Sequence, residues 1–215
     1  MNIVISGTSR GIGRETALKF LKEGHTVYGF DLREASLQHE NYHHYIQDIR
    51  SEALPELPEI QILINNAGTL EEEEAVSVNL LGTMNFTRHF LEEVSLKAIL
   101  FIASASARNG AEFPNYVASK AGVVGYMKNL AVNLAGRGIL VNSISPGGVI
   151  TEANQHILED EKLYEAVKKE TLLHKWAEPS EVAELAYYLT VVNRSITGED
   201  ILMDNGEMLK SNFIW

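Results

Sequence analysis

Short apolar runs alternate with segments of helical period along the whole chain, and this alternation restricts the fold more than any other feature. The runs at 3–6, 26–30, 42–47, 60–65, 98–104, 140–144 and 200–203 read as strands, several of them apolar at every position. Strands covered on both faces must look like that. Between them, 13–23, 75–94, 116–135 and 180–190 carry apolar residues at 3.6-residue spacing. The last of these follows Glu178-Pro179-Ser180-Glu181, a helix start with a proline and an acidic first turn. Strand–helix alternation of this kind predicts an α/β fold with a doubly wound parallel sheet of about seven strands in three αβα layers. No linker, repeat or composition break divides residues 1–215, so one domain is expected.

Composition narrows the function classes. The net charge of −11 argues against nucleic-acid and anionic-membrane partners, which call for a basic surface. The absence of cysteine excludes disulfides, thiolate metal sites and cysteine nucleophiles together. The seven histidines show no spacing with carboxylates that suggests a metal site, and no catalytic metal is expected. No apolar run approaches the roughly 20 residues needed to cross a bilayer. A cytoplasmic location is the expectation.

The first strand runs into Gly7-Thr8-Ser9-Arg10-Gly11-Ile12-Gly13 and then a helix. Glycines before a helix N-terminus let backbone N–H groups approach a pyrophosphate closely, and the position after strand one is the context such a loop requires. The second strand ends near Asp31, 18 residues beyond Gly13. A carboxylate there can accept both ribose hydroxyls of NAD and repels a 2′-phosphate. Arg10 and Arg33 stand on the other side, since either can meet a phosphate. The balance favours NAD, with NADP possible.

Tyr116-Val117-Ala118-Ser119-Lys120 puts a phenol and an ammonium four residues apart on one helical face. A positive charge nearby stabilises phenolate and lowers a pKa that is otherwise near 10. Tyr116 can then exchange a proton with an alcohol or carbonyl while hydride moves to or from a cofactor.

Together with Asn65-Asn66-Ala67-Gly68 after the fourth strand, these residues resemble the classical type of the short-chain dehydrogenase/reductase family. The motifs come in the family's order: glycine loop, Asp48-Ile49, Asn-Asn-Ala-Gly, Asn79, Ser104, Tyr-x-x-x-Lys, then Pro146-Gly147 and a closing Ile196–Gly206 strand and turn. The resemblance implies a Rossmann-type sheet and a catalytic set of Tyr116, Lys120, Ser104 and Asn79. Ser104 would hold the substrate oxygen, with Ser106 as fallback, and Asn79 would support a proton path to Lys120. It further implies cofactor binding by Gly7, Ser9, Arg10, Gly11, Ile12, Gly13 and Asp31, by Asp48 and Ile49 at the adenine, and by Asn66, Ala67 and Gly68 beside the ribose. Tyr116 and Lys120 would also touch the ribose, and Pro146, Gly147, Val149 and Thr151 would meet the nicotinamide. The charged, strandless stretch at about 147–176 reads as a substrate lid.

Two stretches are shorter than the family pattern. Asn79 lies only 11 positions after Gly68, and Asn65 only 17 after Asp48. The second leaves room for a crossover helix of a turn or two around 51–57, broken by Pro55 and Pro58. The acidic run 71–74 reads as a solvated helix start. The expected activity is an NAD(P)(H)-dependent oxidoreductase interconverting a secondary alcohol and a ketone. The alternatives are a 3-oxoacyl-carrier-protein reductase of the same family and a non-catalytic nucleotide-binding regulator. A homodimer or homotetramer is expected, in part because Phe213-Ile214-Trp215 makes an apolar tail.

Overall fold

A computed structural model describes residues 1–209; the apolar tail at 213–215 lies outside the described residues. Seven strands form one parallel sheet in the order β3-β2-β1-β4-β5-β6-β7. They are β1 (Asn2–Ser6), β2 (Thr26–Asp31), β3 (Tyr42–Ile46), β4 (Ile62–Asn65), β5 (Ala98–Ile102), β6 (Leu140–Pro146) and β7 (Asp200–Met203). All six pairings are parallel, and Ile3 of β1 sits beside both Val27 of β2 and Ile62 of β4. The direction of winding reverses between β1 and β4. In open parallel sheets the crevice at the carboxyl ends of such strands is where ligands bind.

The period of two along each strand explains the layers. Ile3, Ile5, Ile62, Ile64 and Leu100 point to one face, where Ala17, Phe20 and Leu21 of α1 (Gly11–Lys22) and Val182 and Ala186 of α7 (Pro179–Tyr187) cover them. Val4, Leu63, Ile99 and Phe101 point to the other, against Phe86 of α2 (Thr83–His89) and Val123, Met127 and Leu130 of α4 (Pro114–Leu134). Strands apolar on both faces therefore end between two helical layers.

Three boundaries differ from the expected ones. The connection from β3 to β4 contains no helix; it runs as turns and coil, with Leu54 and Leu57 packed against the core. Pro55 and Pro58 each lack an N–H and push the preceding residue out of the helical region, which leaves too little chain for a turn. β5 ends at Ile102, so Ser104 lies just beyond the strand, followed by a short helix α3 (Ser106–Asn109). The helix carrying Asn79 opens with a π-turn, Val76–Gly82, that leads into α2.

The 147–176 stretch forms a 3-10 turn at Glu152–Asn154 and two helices, α5 (Gln155–Leu158) and α6 (Glu161–Lys168). It is anchored at both ends where Val149 pairs with Ala177.

Candidate active site

The glycine loop leaves the end of β1 and turns directly into α1. Gly13 is required by close approach: a Cβ there would overlap the carbonyl oxygen of Gly7 and the Asn66 amide. α1 starts with no side-chain cap and no acidic residue in its first turn, so its first N–H groups are left to an anion. That fits a pyrophosphate. Arg10 occupies the N-cap position and is exposed.

Asp31 sits at the end of β2 with its carboxylate toward this loop. Oδ2 accepts from Ser9 N at 2.9 Å and Oδ1 from Arg33 N at 3.0 Å. Carboxylate oxygens carry further lone pairs, so ribose hydroxyls can still donate to it. Behind the loop, a chain of hydrogen bonds links three strands. His44 Nε2 lies 2.8 Å from Arg33 O, Tyr42 Oη 2.8 Å from His44 Nδ1, and Thr8 Oγ1 2.8 Å from Tyr42 Oη. A carbonyl can only accept, so a neutral His44 donates from Nε2 and accepts the Tyr42 hydroxyl at Nδ1. Thr8 then donates to Tyr42.

At the end of β4, Asn66 Nδ2 donates to Ser6 O and Gly7 O, both at 3.0 Å. Ser6 Oγ accepts from the N–H groups of Asn66 and Ala67 at 3.0 and 3.1 Å. Asn66 thus fastens β4 to the glycine loop and shapes the wall on which Ala67 and Gly68 lie. Asp48 does not stand free: Arg50 Nη2 donates to Oδ2 at 2.7 Å, and Arg50 holds this carboxyl below its usual range. The Ile49 side chain is buried in the core, leaving only its backbone to the crevice.

On α4, the residues Lys120, Val123, Met127, Leu130 and Leu134 form the buried stripe. Lys120 occupies the position where that stripe calls for an apolar residue, and only 6% of it is exposed. Burial lowers its pKa to about 8, which still leaves it protonated at neutral pH. Its Nζ donates to Ile102 O at 3.0 Å and lies 5.8 Å from the centroid of the Tyr116 ring. Gly68 lies over the same ammonium: a Cβ there would be 3.6 Å from Lys120 Nζ and 3.0 Å from Asn79 Oδ1.

The phenol differs from the sequence expectation. In the protein alone its pKa is raised: burial is the largest cause, a hydrogen bond from Ser104 opposes it, and the Glu112 carboxylate adds to it. Desolvation of the phenolate outweighs the stabilising groups around it.

Ser104 is the serine that faces Tyr116. Its Oγ accepts from Ser106 Oγ at 2.7 Å and from Ser106 N at 3.2 Å. With its acceptor positions taken, Ser104 has its own proton to give. Ser106 is buried behind it. The turn carrying both is held from below by Arg108, whose Nε donates to Asp200 Oδ2 at 2.8 Å, while Ser143 and Ser145 donate to Asp200 Oδ1 at 2.7 Å.

Asn79 is fully buried and has all three of its amide contacts satisfied. Oδ1 accepts from Thr69 N at 2.7 Å, and Nδ2 donates to Thr69 O and Ser119 Oγ at 3.0 and 3.1 Å.

Of the residues expected at the nicotinamide end, Thr151 reaches back over the glycine loop, with Cγ2 3.4 Å from where a Gly11 Cβ would be. Val149 O is taken by Asn154 Nδ2 at 2.8 Å. Beyond Pro146, Gly147 lies against Glu207, whose Oε2 would be 3.0 Å from a Gly147 Cβ. Burial raises the pKa of Glu207, and Asp204, Glu112 and Glu170 raise it further. Glu207, Asp204, Glu112 and Glu170 therefore form an acidic group near Gly147.

Sequence reading missed Glu72, the Thr8–Tyr42–His44 chain and the Arg108–Asp200 pair. The acidic run 71–74 is not simply a solvated helix start: Glu74 pairs with Arg50 at 2.7 Å and Glu72 reaches α4. A run of four glutamates was the only local signal, and it does not tell which of them turns inward.

Over residues 7–207 the chain matches the family described as Enoyl-(Acyl carrier protein) reductase. The L-rhamnose 1-dehydrogenase (NADP(+)) of Thermoplasma acidophilum is 27% identical, covering 97% of this chain and 96% of that protein. A 3-oxoacyl-acyl-carrier-protein reductase of Aquifex aeolicus is 31% identical, covering 94% and 95%. Among solved structures, 4-hydroxyisoleucine dehydrogenase complexed with NADH superposes with a TM-score of 0.86 at 26% identity, over 98% of this chain and 99% of that one. The rhamnose dehydrogenase alignment spans 245 positions against 215 residues here, so this chain lacks residues its relative has. Shortened but matched from end to end, the chain belongs to the classical short-chain dehydrogenase/reductase family.

Proposed function

We propose that the protein interconverts a secondary alcohol and a ketone with NAD(H), NADP(H) being the other cofactor its glycine loop admits, and that Tyr116, Lys120, Ser104 and Asn79 carry the reaction. The observation behind this is the lysine. Lys120 is buried on the same helix face as Tyr116, and its hydrogen bond goes to the Ile102 carbonyl rather than to a carboxylate. Its charge is therefore left to the phenol and to a ribose passing Gly68.

When bound, the nicotinamide supplies or accepts the hydride. Every other event belongs to the chain. In reduction, Tyr116 Oη gives its proton to the carbonyl oxygen; in oxidation it takes the hydroxyl proton. Ser104, with its proton free to donate, holds that oxygen in place. Lys120 steadies the phenolate, and Asn79, through Ser119, holds the helix and supports the proton path. Gly7, Ser9, Arg10, Gly11, Ile12 and Gly13 would hold the pyrophosphate, and Asp31 the adenosine ribose. Asp48 and Ile49 would meet the adenine, Asn66, Ala67 and Gly68 would form the ribose wall, and Pro146, Gly147, Val149 and Thr151 would meet the carboxamide. Residues 147–176 would close over the substrate as a lid.

Relatives named 3-oxoacyl-acyl-carrier-protein reductase favour a second reading, with a carrier-bound 3-oxoacyl group as substrate. The acidic group of Glu112, Glu170 and Glu207 and the net charge of −11 oppose docking of an acidic carrier and support a small uncharged substrate. A homodimer or homotetramer is proposed because Val132 of α4 and Leu81 are exposed, apolar surface that a second copy can cover. A cytoplasmic site fits a chain in which, among the described residues, no helix is long and apolar enough to cross a membrane.

The test is turnover of a panel of ketones, alcohols and sugars with NADH and NADPH. Tyr116→Phe removes only the exchangeable proton, and kcat should fall by about 1,000-fold or more while cofactor affinity stays within about twofold. Full turnover in that variant would sink the mechanism.

A further inference from the structure

Helix α4 carries the phenol but has no cap of its own. Its N-cap position is Phe113, which makes no side-chain capping bond, and Pro114 at the first helical position has no N–H. The next two N–H groups, those of Asn115 and Tyr116, are met from a distant part of the chain. Glu72 Oε1 accepts from Asn115 N at 2.8 Å and Oε2 from Tyr116 N at 3.4 Å. Asn115 Nδ2 answers with a bond to the Glu72 carbonyl at 3.2 Å. From Val117 onward the helix supplies its own acceptors, beginning with Phe113 O at 2.9 Å.

Further along the same segment, Asn79 holds the helix about one turn on. Its Nδ2 donates to Ser119 Oγ, and Ser119 Oγ donates to Tyr116 O at 2.7 Å. The two peptide groups flanking the Tyr116 Cα are thus both held from segment 69–79: the N–H by Glu72, the carbonyl through Ser119 and Asn79. This is one of the two stretches in which the chain is shorter than its family's pattern.

We propose that Glu72 is a positioning residue for Tyr116, its carboxylate serving as a remote N-cap that fixes the first turn of α4 and thereby the aim of the phenol. The inference rests on Tyr116 being the acid/base, and the experiment separates the two. Capping oxygens at this position order the turn, and a reacting group displaced by a fraction of an ångström loses rate more than binding. The split between kcat and cofactor affinity is therefore the readout.

Steady-state kinetics and NADH binding are measured for Glu72→Ala, Glu72→Gln and Tyr116→Phe in the full chain, with the best carbonyl from the panel as substrate. Glu72→Ala should lower kcat about tenfold with the NADH Kd within about twofold. Glu72→Gln keeps one acceptor oxygen for Asn115 N and should recover kcat to within about threefold of wild type. If Glu72→Ala does not fold, Glu72→Asp replaces it: the withdrawn carboxylate should lower kcat several-fold at unchanged Kd. A Glu72→Ala (or, in its place, Glu72→Asp) with wild-type kcat overturns the assignment, as does a Glu72→Gln as impaired as Glu72→Ala. Retained turnover in Tyr116→Phe overturns the reading of the phenol instead.

Discussion

Two stretches of this chain read as short for the family, and they are built in opposite ways. From 47 to 61, between β3 and β4, the crossover holds no helix and runs as turns and coil; Leu54 and Leu57 pack on the core, and two prolines disfavour a helix there. From Gly68 to Asn79, by contrast, several polar groups are engaged with partners. Thr69 holds Asn79, Glu72 caps α4, Glu74 pairs with Arg50 and Asn79 reaches Ser119. A crossover can be reduced to a cover, because only apolar area is required of it. The segment against α4 must present hydrogen-bonding atoms at defined places, and a short segment puts that duty on few residues.

Within these two stretches the largest expected effect lies at Asn79. Asn79→Leu keeps the branched outline at a larger volume and leaves Thr69 N, Thr69 O and Ser119 Oγ without their partner in a buried place. Kinetics should show a drop of about 100-fold in kcat, and a melt should show a loss of about 1–3 kcal/mol. Wild-type turnover here would mean that the second segment is as dispensable to the chemistry as the first.

The matching residue for the first segment is Asn85 of α2, whose Nδ2 donates to Ile49 O and Ser51 O, both at 2.9 Å. These bonds moor the start of the coil. Asn85→Ala should destabilise the fold by about 1–2 kcal/mol in urea titration and leave kcat within about twofold. A kcat loss larger than the stability loss explains would give the coil a part in the reaction and erase the contrast.

How much of this could be read beforehand followed chain distance. The glycine loop, Asp31 at the end of β2 and the Tyr116–Lys120 pair each lie within a single strand, turn or helix, so spacing alone located them. Pro55 and Pro58 announced a weak crossover helix, and the structure went further by removing it. Glu72 was invisible because its partners are 43 and 44 residues away, and nothing local separates an inward glutamate from its three neighbours. The Thr8–Tyr42–His44 chain requires β3 and β1 to flank β2, which only the sheet order supplies. The direction of the Tyr116 pKa was also out of reach, since it depends on how deeply the phenol is buried, while residue spacing reports only which charges are near.

Arg50 joins the two stretches and gives the smallest expected effect. Its Nη2 holds Asp48 at 2.7 Å in the first, and its Nη1 holds Glu74 at 2.7 Å in the second. Both pairs are largely exposed, and exposed pairs contribute little, so Arg50→Ala should cost less than about 1 kcal/mol at neutral pH. The sign of the pH dependence follows from Asp48. Its folded pKa is held below the usual carboxylate value, chiefly by Arg50, so it adds stability above the unfolded pKa, and that stability fades as pH falls through the lowered one. Urea midpoints of wild type and Arg50→Ala should differ slightly at pH 7 and converge in acid, with kcat unchanged. A kcat that falls with the pair would show the coil steering the catalytic segment through this guanidinium, and the two stretches would then have to be treated as one device.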